Sequence, residues 1–311
     1  MSEYSLKKEQ LKKINMEAAK YFYAMLRKPE GEEAMKYFKN RELSDETLKS
    51  FGLGYAGKKT SALYKYLSGL GFSDELLLES GLVIYDSEKK YWKNKFWNRA
   101  MFPIKNMDGE VIAFGGRVMD DSKPKYLNSS ETPVFNKSNN LYAFDKAINS
   151  DKPYFILCEG YMDVISMHQA GFDCAIAALG TAYTKNHAEI IKHYVNDVYL
   201  SFDSDGPGLN AALRAIPICK EAGLNCKVIN MKPYKDPDEF IKNLGKEEFE
   251  KRIKNAENDF IFYARAKQIK YNMDDLDSKI EFLKDLAYEA TKIEDFDEVA
   301  KNIDKLNNEN R

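Results

Sequence analysis

The sequence predicts a mixed α/β and α+β protein built in three parts. Residues 1–150 combine helical periodicity with short apolar runs, residues 151–245 alternate strands with helices, and residues 246–311 return to charged, helix-forming sequence. We therefore expect an N-terminal mixed helical and antiparallel subdomain, a central α/β domain with a parallel sheet, and a C-terminal helical subdomain.

Composition limits the class of protein. The 311 residues are enough for about two domains, and 44% hydrophobic with 31% charged residues is typical of a chain that forms a core. The formal net charge of −2 excludes a uniformly basic nucleic-acid coat but leaves room for a local basic surface. The sequence shows no signal peptide and no apolar run long enough to cross a bilayer, so we expect a cytoplasmic protein with no membrane partner.

The four cysteines do not form a zinc site by spacing. No C-x-x-C motif occurs, and the three histidines lie at no zinc-ligand spacing from a cysteine. Cys158, Cys174 and Cys226 lie in or beside apolar runs, as small buried hydrophobic residues do. We expect reduced core thiols and no zinc in this chain.

The N-terminal part begins with helices. In residues 5–28, apolar side chains recur at steps of three and four residues, and Pro29 and Gly31 end the pattern. Further helices are predicted over 32–41 and, after a capping serine, over 45–51.

Residues 52–150 predict mainly antiparallel strands. Short apolar runs at 82–85, 100–104 and 111–116 alternate with turn sequences. Basic residues gather here with aromatic ones between them, a mixture that binds a nucleic-acid backbone in some proteins and is an ordinary solvated face in others. The basic residues are Lys93, Lys95, Arg99, Arg117, Lys123, Lys125 and Lys137, and the aromatic residues are Trp92, Phe96, Trp97 and Tyr126.

The central part predicts βαβ units and a parallel sheet, because strands and helices alternate at regular length. Pro217 lies inside the third helix and is expected to kink it. The predicted strands are 154–158, 174–178, 198–202 and 226–231, and the predicted helices are 161–171, 184–195 and 208–223. In the C-terminal part, helices are predicted over 247–270 and 276–290.

Carboxylates follow three of the predicted strands. Glu159 follows the first directly, Asp203 and Asp205 follow the third, and Asp236 and Asp238 come after the fourth. Because neighbouring parallel strands end at the same edge of a sheet, these acids can converge, and like charges there repel unless a cation lies between them. Oxygen ligands suit Mg²⁺ or Mn²⁺, and two or more such ions serve phosphoryl and nucleotidyl transfer. The alternative is a set of unrelated surface acids.

Several motifs resemble a TOPRIM domain, the metal-binding fold shared by bacterial primases, type IA and type II topoisomerases, and some nucleases and recombination proteins. These motifs are E-G-Y-M-D (159–163), A-L-G-T-A (178–182), F-D-S-D-G-P-G (202–208) and D-P-D-E (236–239). The preceding region is similar to the catalytic core of bacterial DnaG-type primases, and the resemblance extends from the N-terminal helices to about residue 250. Its motifs are F-G-L-G-Y-A (51–56), R-A-M-F-P-I (99–104), F-G-G-R-V (114–118), P-K-Y-L-N-S (124–129) and E-T-P-V-F-N-K (131–137).

The resemblance implies roles for individual residues. Glu159 matches the acid nearest the reaction, either as general base or as metal ligand. The remaining implied metal-binding acids are Asp163, Asp203, Asp205, Asp236 and Asp238. The implied nucleotide- and template-binding residues are Arg117, Lys125 and Tyr126, together with Arg99 and Lys137 in the same motifs.

The resemblance also implies a function. It is that of a DNA-dependent RNA polymerase, a primase that makes short RNA primers for replication from ribonucleoside triphosphates on single-stranded DNA. Complete primases of this type also carry a zinc-ribbon domain and a part that binds the replicative helicase. We expect this chain to be a monomeric fragment without those parts, and a naturally short primase is the alternative.

Two other classes of function use the same domain. A TOPRIM nuclease or topoisomerase would use the metals to cleave a strand, although a topoisomerase also needs a tyrosine on a separate domain. A recombination mediator would use the domain only to bind.

Overall fold

A computed structural model describes residues 2–180, 182–291, 293 and 296–309. The chain forms two compact units, of which the first comprises residues 1–152 and 160–182, and the second residues 153–159 and 183–311.

The elements agree closely with the periodicity of the sequence. The helices before Ser150 are α1 (Glu3–Leu26), α2 (Glu32–Asn40), α3 (Asp45–Ser50), α4 (Ala62–Gly69), α5 (Asp74–Glu79) and α6 (Phe144–Ala147). The strands in the same stretch are β1 (Gly54–Ala56), β2 (Val83–Asp86), β3 (Tyr91–Asn94), β4 (Arg99–Lys105), β5 (Val111–Val118) and β6 (Tyr126–Asn128). The following elements are β7 (Tyr154–Cys158), α7 (Tyr161–Gln169), β8 (Ala175–Ala177), α8 (Lys185–Lys192), β9 (Asp197–Ser201), α9 (Gly206–Glu221) and β10 (Asn225–Val228). The last are α10 (Pro237–Lys254), β11 (Glu257–Asn258), α11 (Asp259–Gln268), α12 (Leu276–Ala290) and α13 (Phe296–Glu309).

Helix α1 supplies much of the core of the first unit by packing on β1 and β5. Its central apolar positions Leu11, Ile14, Ala18 and Phe22 are buried, whereas Leu6 near the start is exposed. The Phe22 ring meets Phe114 edge to face with centroids 5.3 Å apart. The buried Asn15 side chain donates to the carbonyl of Ile112 at 3.0 Å, so the one polar group on this face is satisfied. Helix α1 therefore holds β5 in place by apolar burial and by this hydrogen bond.

The sheet of the first unit has the strand order β1-β4-β5-β6. Every neighbouring pair is antiparallel, as the sequence predicts, and β4 and β5 form a long buried hairpin from the Arg99–Val118 pair to the Lys105–Val111 pair. In the pairing of β5 with β6, Arg117 lies opposite Tyr126. The hairpin thus carries the motifs of the predicted basic strip on a rigid support.

The strands of the second unit are neighbours in the order β11-β10-β9-β7, and β11 is antiparallel to β10. Strands β7, β9 and β10 are parallel, and Cys158 pairs with Ser201 at the ends of β7 and β9. The chain therefore leaves both strands at the same edge, so that the residues after β7 and β9 emerge side by side.

One helix prediction is wrong. The sequence predicts a single helix over 247–270, whereas α10 ends at Lys254 and α11 begins at Asp259. Between them Glu257 pairs with Val228 of β10, and the Asn258 side chain accepts the N–H of Ile261 at 2.9 Å. Strand pairing and a helix cap overcome local helical periodicity here. Helix α12 matches its prediction, and α9 runs through Pro217 as one helix.

Gly115 in β5 allows a close approach inside the first unit. A Cβ atom at this position would lie 2.5 Å from the Tyr161 ring, which itself stacks on Phe102 with centroids 5.0 Å apart. The Tyr161 hydroxyl donates to Asn128 Oδ1 at 2.7 Å. The stacking and the hydrogen bond together hold the ring, so it has little room to move away from an added methyl group. The glycine is therefore required by space rather than by backbone conformation.

We expect Gly115→Ala to lower the free energy of unfolding by about 1–3 kcal/mol, because the added methyl group overpacks a fixed aromatic ring. Urea denaturation measures this change. Gly69→Ala is the matched control, because Gly69 ends α4 with open space around it, so alanine there should be neutral or slightly stabilising. A Gly115→Ala protein as stable as the parent would contradict the packing described for Tyr161.

Candidate functional site

The first two acidic motifs meet at the edge where β7 and β9 end. Glu159 follows β7 directly, and its Oε1 atom accepts the backbone N–H of Asp203 at 2.9 Å. The turn leaves no space for a side chain at Gly208, because a Cβ atom there would lie 2.1 Å from the carbonyl oxygen of Asp203 and 2.8 Å from Glu159 Oε1. The glycine-rich sequence after Asp205 thus allows the two acidic segments to touch.

Asp205 and Asp236 each begin a helix. Asp205 Oδ1 accepts the N–H of Gly208 at 3.0 Å at the start of α9, and Asp236 Oδ1 accepts the N–H of Glu239 at 2.8 Å at the start of α10. Each carboxylate therefore satisfies a free backbone donor with one oxygen. The positive ends of two helix dipoles also lie beside these acids.

Lys235 lies between the carboxylates, and the sequence prediction missed it. Its Nζ atom is 3.4 Å from Asp203 Oδ2 and 3.7 Å from Asp205 Oδ2. Its backbone is fixed as well, because its carbonyl accepts the N–H of Ser204 at 2.7 Å and its N–H donates to Glu239 Oε2 at 2.8 Å. The only signal in the sequence was a lysine directly before D-P-D-E, which looks like an ordinary solvated loop residue.

The acids of the second unit act electrostatically on one another. Partial burial raises the pKa of Glu159, and the charges of Asp203 and Asp205 raise it further. Burial also raises the pKa of Asp203, the Lys235 ammonium opposes this, and the charges of Asp236 and Asp205 add to it. The edge of the sheet therefore holds more negative charge than one lysine neutralises.

The two remaining predicted acids have different surroundings. Asp238 is 2% exposed, and its Oδ2 atom lies 2.9 Å from the Lys242 ammonium one turn along α10. Asp163 belongs to the first unit, where its Oδ2 atom accepts the N–H of Gly160 at 3.1 Å and caps α7. The structure thus brings together Glu159, Asp203, Asp205 and Asp236, gives Asp238 a lysine partner, and gives Asp163 a capping role.

The donor set suits a hard divalent cation. Carboxylate oxygens of the described residues converge at this edge, and a positive ammonium already lies between two of them, as expected where like charges need a counter-charge. Within the described ranges, no group of three or more His, Cys, Asp and Glu side chains is already spaced to hold a metal ion. The carboxylate ligands thus suit a divalent ion chemically, and the ammonium group of Lys235 lies where the positive charge of such an ion would be needed.

Three of the predicted binding residues lie together in the first unit. Arg117 and Tyr126 are opposite each other on β5 and β6, and the exposed Lys125 immediately precedes Tyr126. The Arg117 guanidinium lies 4.3 Å from the centroid of the Tyr37 ring, and Arg41 lies 6.0 Å from the same ring. Tyr37 and Arg41 were missed because they belong to the region of α2, about 80 residues earlier in the sequence.

Arg99 supports this strip from inside the protein. Its side chain is buried, and Nη1 donates to the carbonyls of Gly116, Pro124 and Lys125 at 3.1, 3.0 and 3.3 Å. Burial lowers the pKa of Arg99. Because Nη1 donates to three backbone carbonyls, the geometry gives Arg99 a positioning role for the β5–β6 segment.

Lys137 lies near a second lysine, Lys95. Burial lowers the pKa of Lys95, and the positive charge of Lys137 lowers it further. Lys95 Nζ also donates to Ser130 Oγ at 2.6 Å. The like charge of Lys137 therefore acts on the ammonium group of Lys95.

Two further features concern the part of the chain that the structure describes. All four cysteines are buried, and none of them forms a disulfide. None of the helices there combines the length and the apolar character that crossing a bilayer requires.

The fold and the carboxylate edge define a Toprim-containing protein. A family model described as Toprim-like matches residues 156–241, which include Glu159, Asp203, Asp205, Asp236 and Asp238. A second family model, the N-terminal domain of the DNA primase catalytic core, matches residues 21–148. The chain belongs to the family of DnaG-type primase catalytic cores. Membership in this family implies dependence on a divalent metal ion.

Individual relatives agree with this assignment. The chain is 40% identical over 298 residues to the DNA primase of Clostridium acetobutylicum, covering 96% of this chain and 49% of that protein. It spans about half the length of the curated relatives it matches. A structure of a DnaG primase catalytic domain bound to ssDNA superposes with a TM-score of 0.81 at 26% identity, covering 98% of this chain and 99% of the other. A DNA primase domain from Pseudomonas aeruginosa gives a TM-score of 0.81 at 31% identity, covering 95% and 94%. The predicted fold class is confirmed.

The raised pKa of Glu159 predicts a dependence of stability on pH. In the window between the ordinary value of 4.5 and the raised value, the folded protein binds more protons than the unfolded chain, so stability falls as pH rises. Glu159→Gln keeps an oxygen for the Asp203 N–H and removes the charge. We expect this variant to be more stable than the parent at pH 7, by less than about 1 kcal/mol because solvent screens the site.

Thermal unfolding of metal-free protein between pH 4 and 8 measures this difference, which should vanish at the acidic end. Glu248→Gln is the control, because Glu248 forms an exposed ion pair with Lys251 and should not be stabilised by losing its charge. A Glu159→Gln protein that is less stable than the parent at pH 7 would contradict the repulsion described above.

Proposed function

We propose that the chain is the RNA polymerase core of a primase, which synthesises short RNA primers on single-stranded DNA for replication. The observation that carries this proposal is the convergence of Glu159, Asp203, Asp205 and Asp236 at one edge of a Toprim sheet. Carboxylates arranged in this way belong to metal-assisted phosphoryl and nucleotidyl transfer. Membership in the primase core family supports the same reaction.

In the proposed reaction, the 3′-hydroxyl of one nucleotide attacks the α-phosphate of the next, and pyrophosphate leaves. Two or more Mg²⁺ or Mn²⁺ ions, when bound, would neutralise charge on the attacking and leaving oxygens. The residues proposed to hold them are Glu159, Asp203, Asp205, Asp236 and Asp238, with Asp163 as a further acid.

Glu159 is proposed to act either as general base or as an additional ligand. Its Oε1 atom is held by the Asp203 N–H, which leaves Oε2 for a proton or an ion. The raised pKa of this carboxyl group makes it a better proton acceptor than an ordinary glutamate.

The basic strip is proposed to bind the template and the nucleotide. Lys125 and Arg117 would contact phosphates, Tyr126 presents a partly exposed ring, and Arg99 would position the segment that carries them. Lys137, beside Lys95, would bind a further phosphate. The similar DnaG catalytic domain bound to ssDNA supports single-stranded DNA as the template.

Further partners follow from the family. Ribonucleoside triphosphates would be the substrates. The reaction would take place in the cytoplasm. The replicative helicase and a zinc-ribbon domain would act with the full-length protein.

Asp203→Asn should lower primer synthesis by about 100-fold or more, because it removes a charge from the reacting centre. The assay contains single-stranded DNA, labelled ribonucleotides and Mn²⁺, and gel electrophoresis resolves the products. Asp205→Asn should behave alike without unfolding α9, because asparagine also caps a helix. Asp197→Asn is the matched control, because Asp197 lies at the opposite end of the same strand and contacts only Asn225 by a hydrogen bond among the described side chains.

The same assay separates the three classes of function. Oligoribonucleotides indicate a primase, shortened DNA indicates a nuclease, and the absence of both favours a binding mediator. Near-normal synthesis by Asp203→Asn would show that the reaction does not depend on this carboxylate.

Lys125→Ala should weaken binding to single-stranded DNA by a similar factor across template sequences, because phosphate contacts carry no base information. The slope of log affinity against log salt should become shallower by about 0.7 for each lost phosphate contact. Fluorescence anisotropy at low salt measures both quantities. Lys36→Ala removes another exposed lysine, which pairs with Glu32 on α2, and should leave binding unchanged. If Lys125→Ala kept the affinity and the salt slope of the parent, Lys125 would be an ordinary solvated residue and not a DNA-binding one.

A further inference from the structure

Lys235 is placed with more precision than a loop lysine requires. Backbone hydrogen bonds join it to Ser204 on one side and to Glu239 on the other, so its Cα position is fixed relative to both acidic motifs. The next residue, Asp236, caps α10. These hydrogen bonds therefore anchor the backbone of Lys235 beside Asp203 and Asp205, independently of the conformation of its side chain.

The charges at this edge require such a group when no metal ion is bound. Asp203 and Asp205 are both within 4 Å of Lys235 Nζ, while Glu159 and Asp236 add negative charge to the same cluster. Without a cation these carboxylates would repel one another in a partly buried setting. Lys235 supplies the positive charge that the described side chains place nearest to this pair.

The same contact is easily broken. The Lys235 side chain is 59% exposed, so it can turn into solvent without leaving a cavity or an unsatisfied buried group. Exposed ion pairs of this kind contribute little to stability. A divalent ion, in contrast, carries twice the charge of an ammonium group and binds several oxygen ligands at once. The backbone bonds of Lys235 do not involve its ammonium group, so its departure leaves the acidic loop in place.

We propose that Lys235 is a tethered counter-ion of the metal centre, which neutralises Asp203 and Asp205 when no divalent ion is bound and is displaced when one binds. This inference rests on the proposed metal site, since it deepens the description of that site. It predicts that Lys235 stabilises the metal-free protein and competes with the metal for the same carboxylate oxygens. Lys235 is thus a positioning residue whose effect appears in binding of the metal itself.

Titration of the whole chain with Mn²⁺ alone tests the proposal, with two readouts that need no synthesis of RNA. Thermal unfolding gives the stability at each Mn²⁺ concentration, and electron paramagnetic resonance gives the free Mn²⁺ concentration. Lys235→Ala should have a lower Tm than the parent without metal, by about 2 °C. It should also bind Mn²⁺ about three- to ten-fold more tightly, because one competing ion pair has been removed.

Two further variants serve as controls. Lys235→Arg keeps the positive charge and should resemble the parent in both readouts. Lys251→Ala removes another exposed lysine of the second unit, one that pairs with Glu248, and should leave Mn²⁺ affinity unchanged.

The outcomes separate this proposal from the proposed function. If Mn²⁺ affinity in Lys235→Ala equals or falls below that of the parent while Asp203→Asn loses Mn²⁺ binding, the counter-ion role is wrong and the metal site stands. If Lys235→Ala binds Mn²⁺ more tightly but the parent makes no primers, the counter-ion role stands and the proposed function is wrong. If the parent binds no Mn²⁺, the counter-ion role is overturned together with the metal site.

Discussion

The parallel register of β7 with β9 is the constraint on which the site depends. Because Cys158 pairs with Ser201, both strands end level with each other, and the residues that follow them start within hydrogen-bonding distance. A shift of one residue in this pairing would turn every side chain of the shifted strand to the other face of the sheet and separate the acids. The carboxylates stay together despite their mutual repulsion because their backbone directly follows a buried strand or caps a helix.

The acids are also part of the fold. Asp205 and Asp236 each use one oxygen to cap a helix and have the second oxygen available for other contacts. The cap therefore fixes the direction of the free oxygen, so the chain needs no additional residues to orient the site. The cost is repulsion in the metal-free protein, which two helix N-termini and Lys235 partly offset.

Sequence reasoning located the acids but not their surroundings. Glu159, Asp203 and Asp205 were predictable because strand ends can be identified from apolar runs, and parallel strands bring their ends together. Lys235, Tyr37 and Arg41 were not, because their importance arises from contacts between distant segments that no periodicity records. The break between α10 and α11 was missed for the same reason, since pairing with β10 decides it. The burial of Arg99 depends on the geometry of β4, β5 and β6, so it could not be predicted from the sequence either.

Strand β6 is the outermost strand in the order β1-β4-β5-β6, and a free strand edge invites pairing with another chain. Three features oppose such self-association here. The strand is only three residues long, Pro124 lacks a backbone N–H just before it, and the exposed Lys123 and Lys125 place positive charge beside it. A second copy of the chain would bring the same lysines against its own edge, which like charges resist. The basic residues of this segment therefore protect the sheet from aggregation, while a polyanion approaching the same surface meets no such barrier.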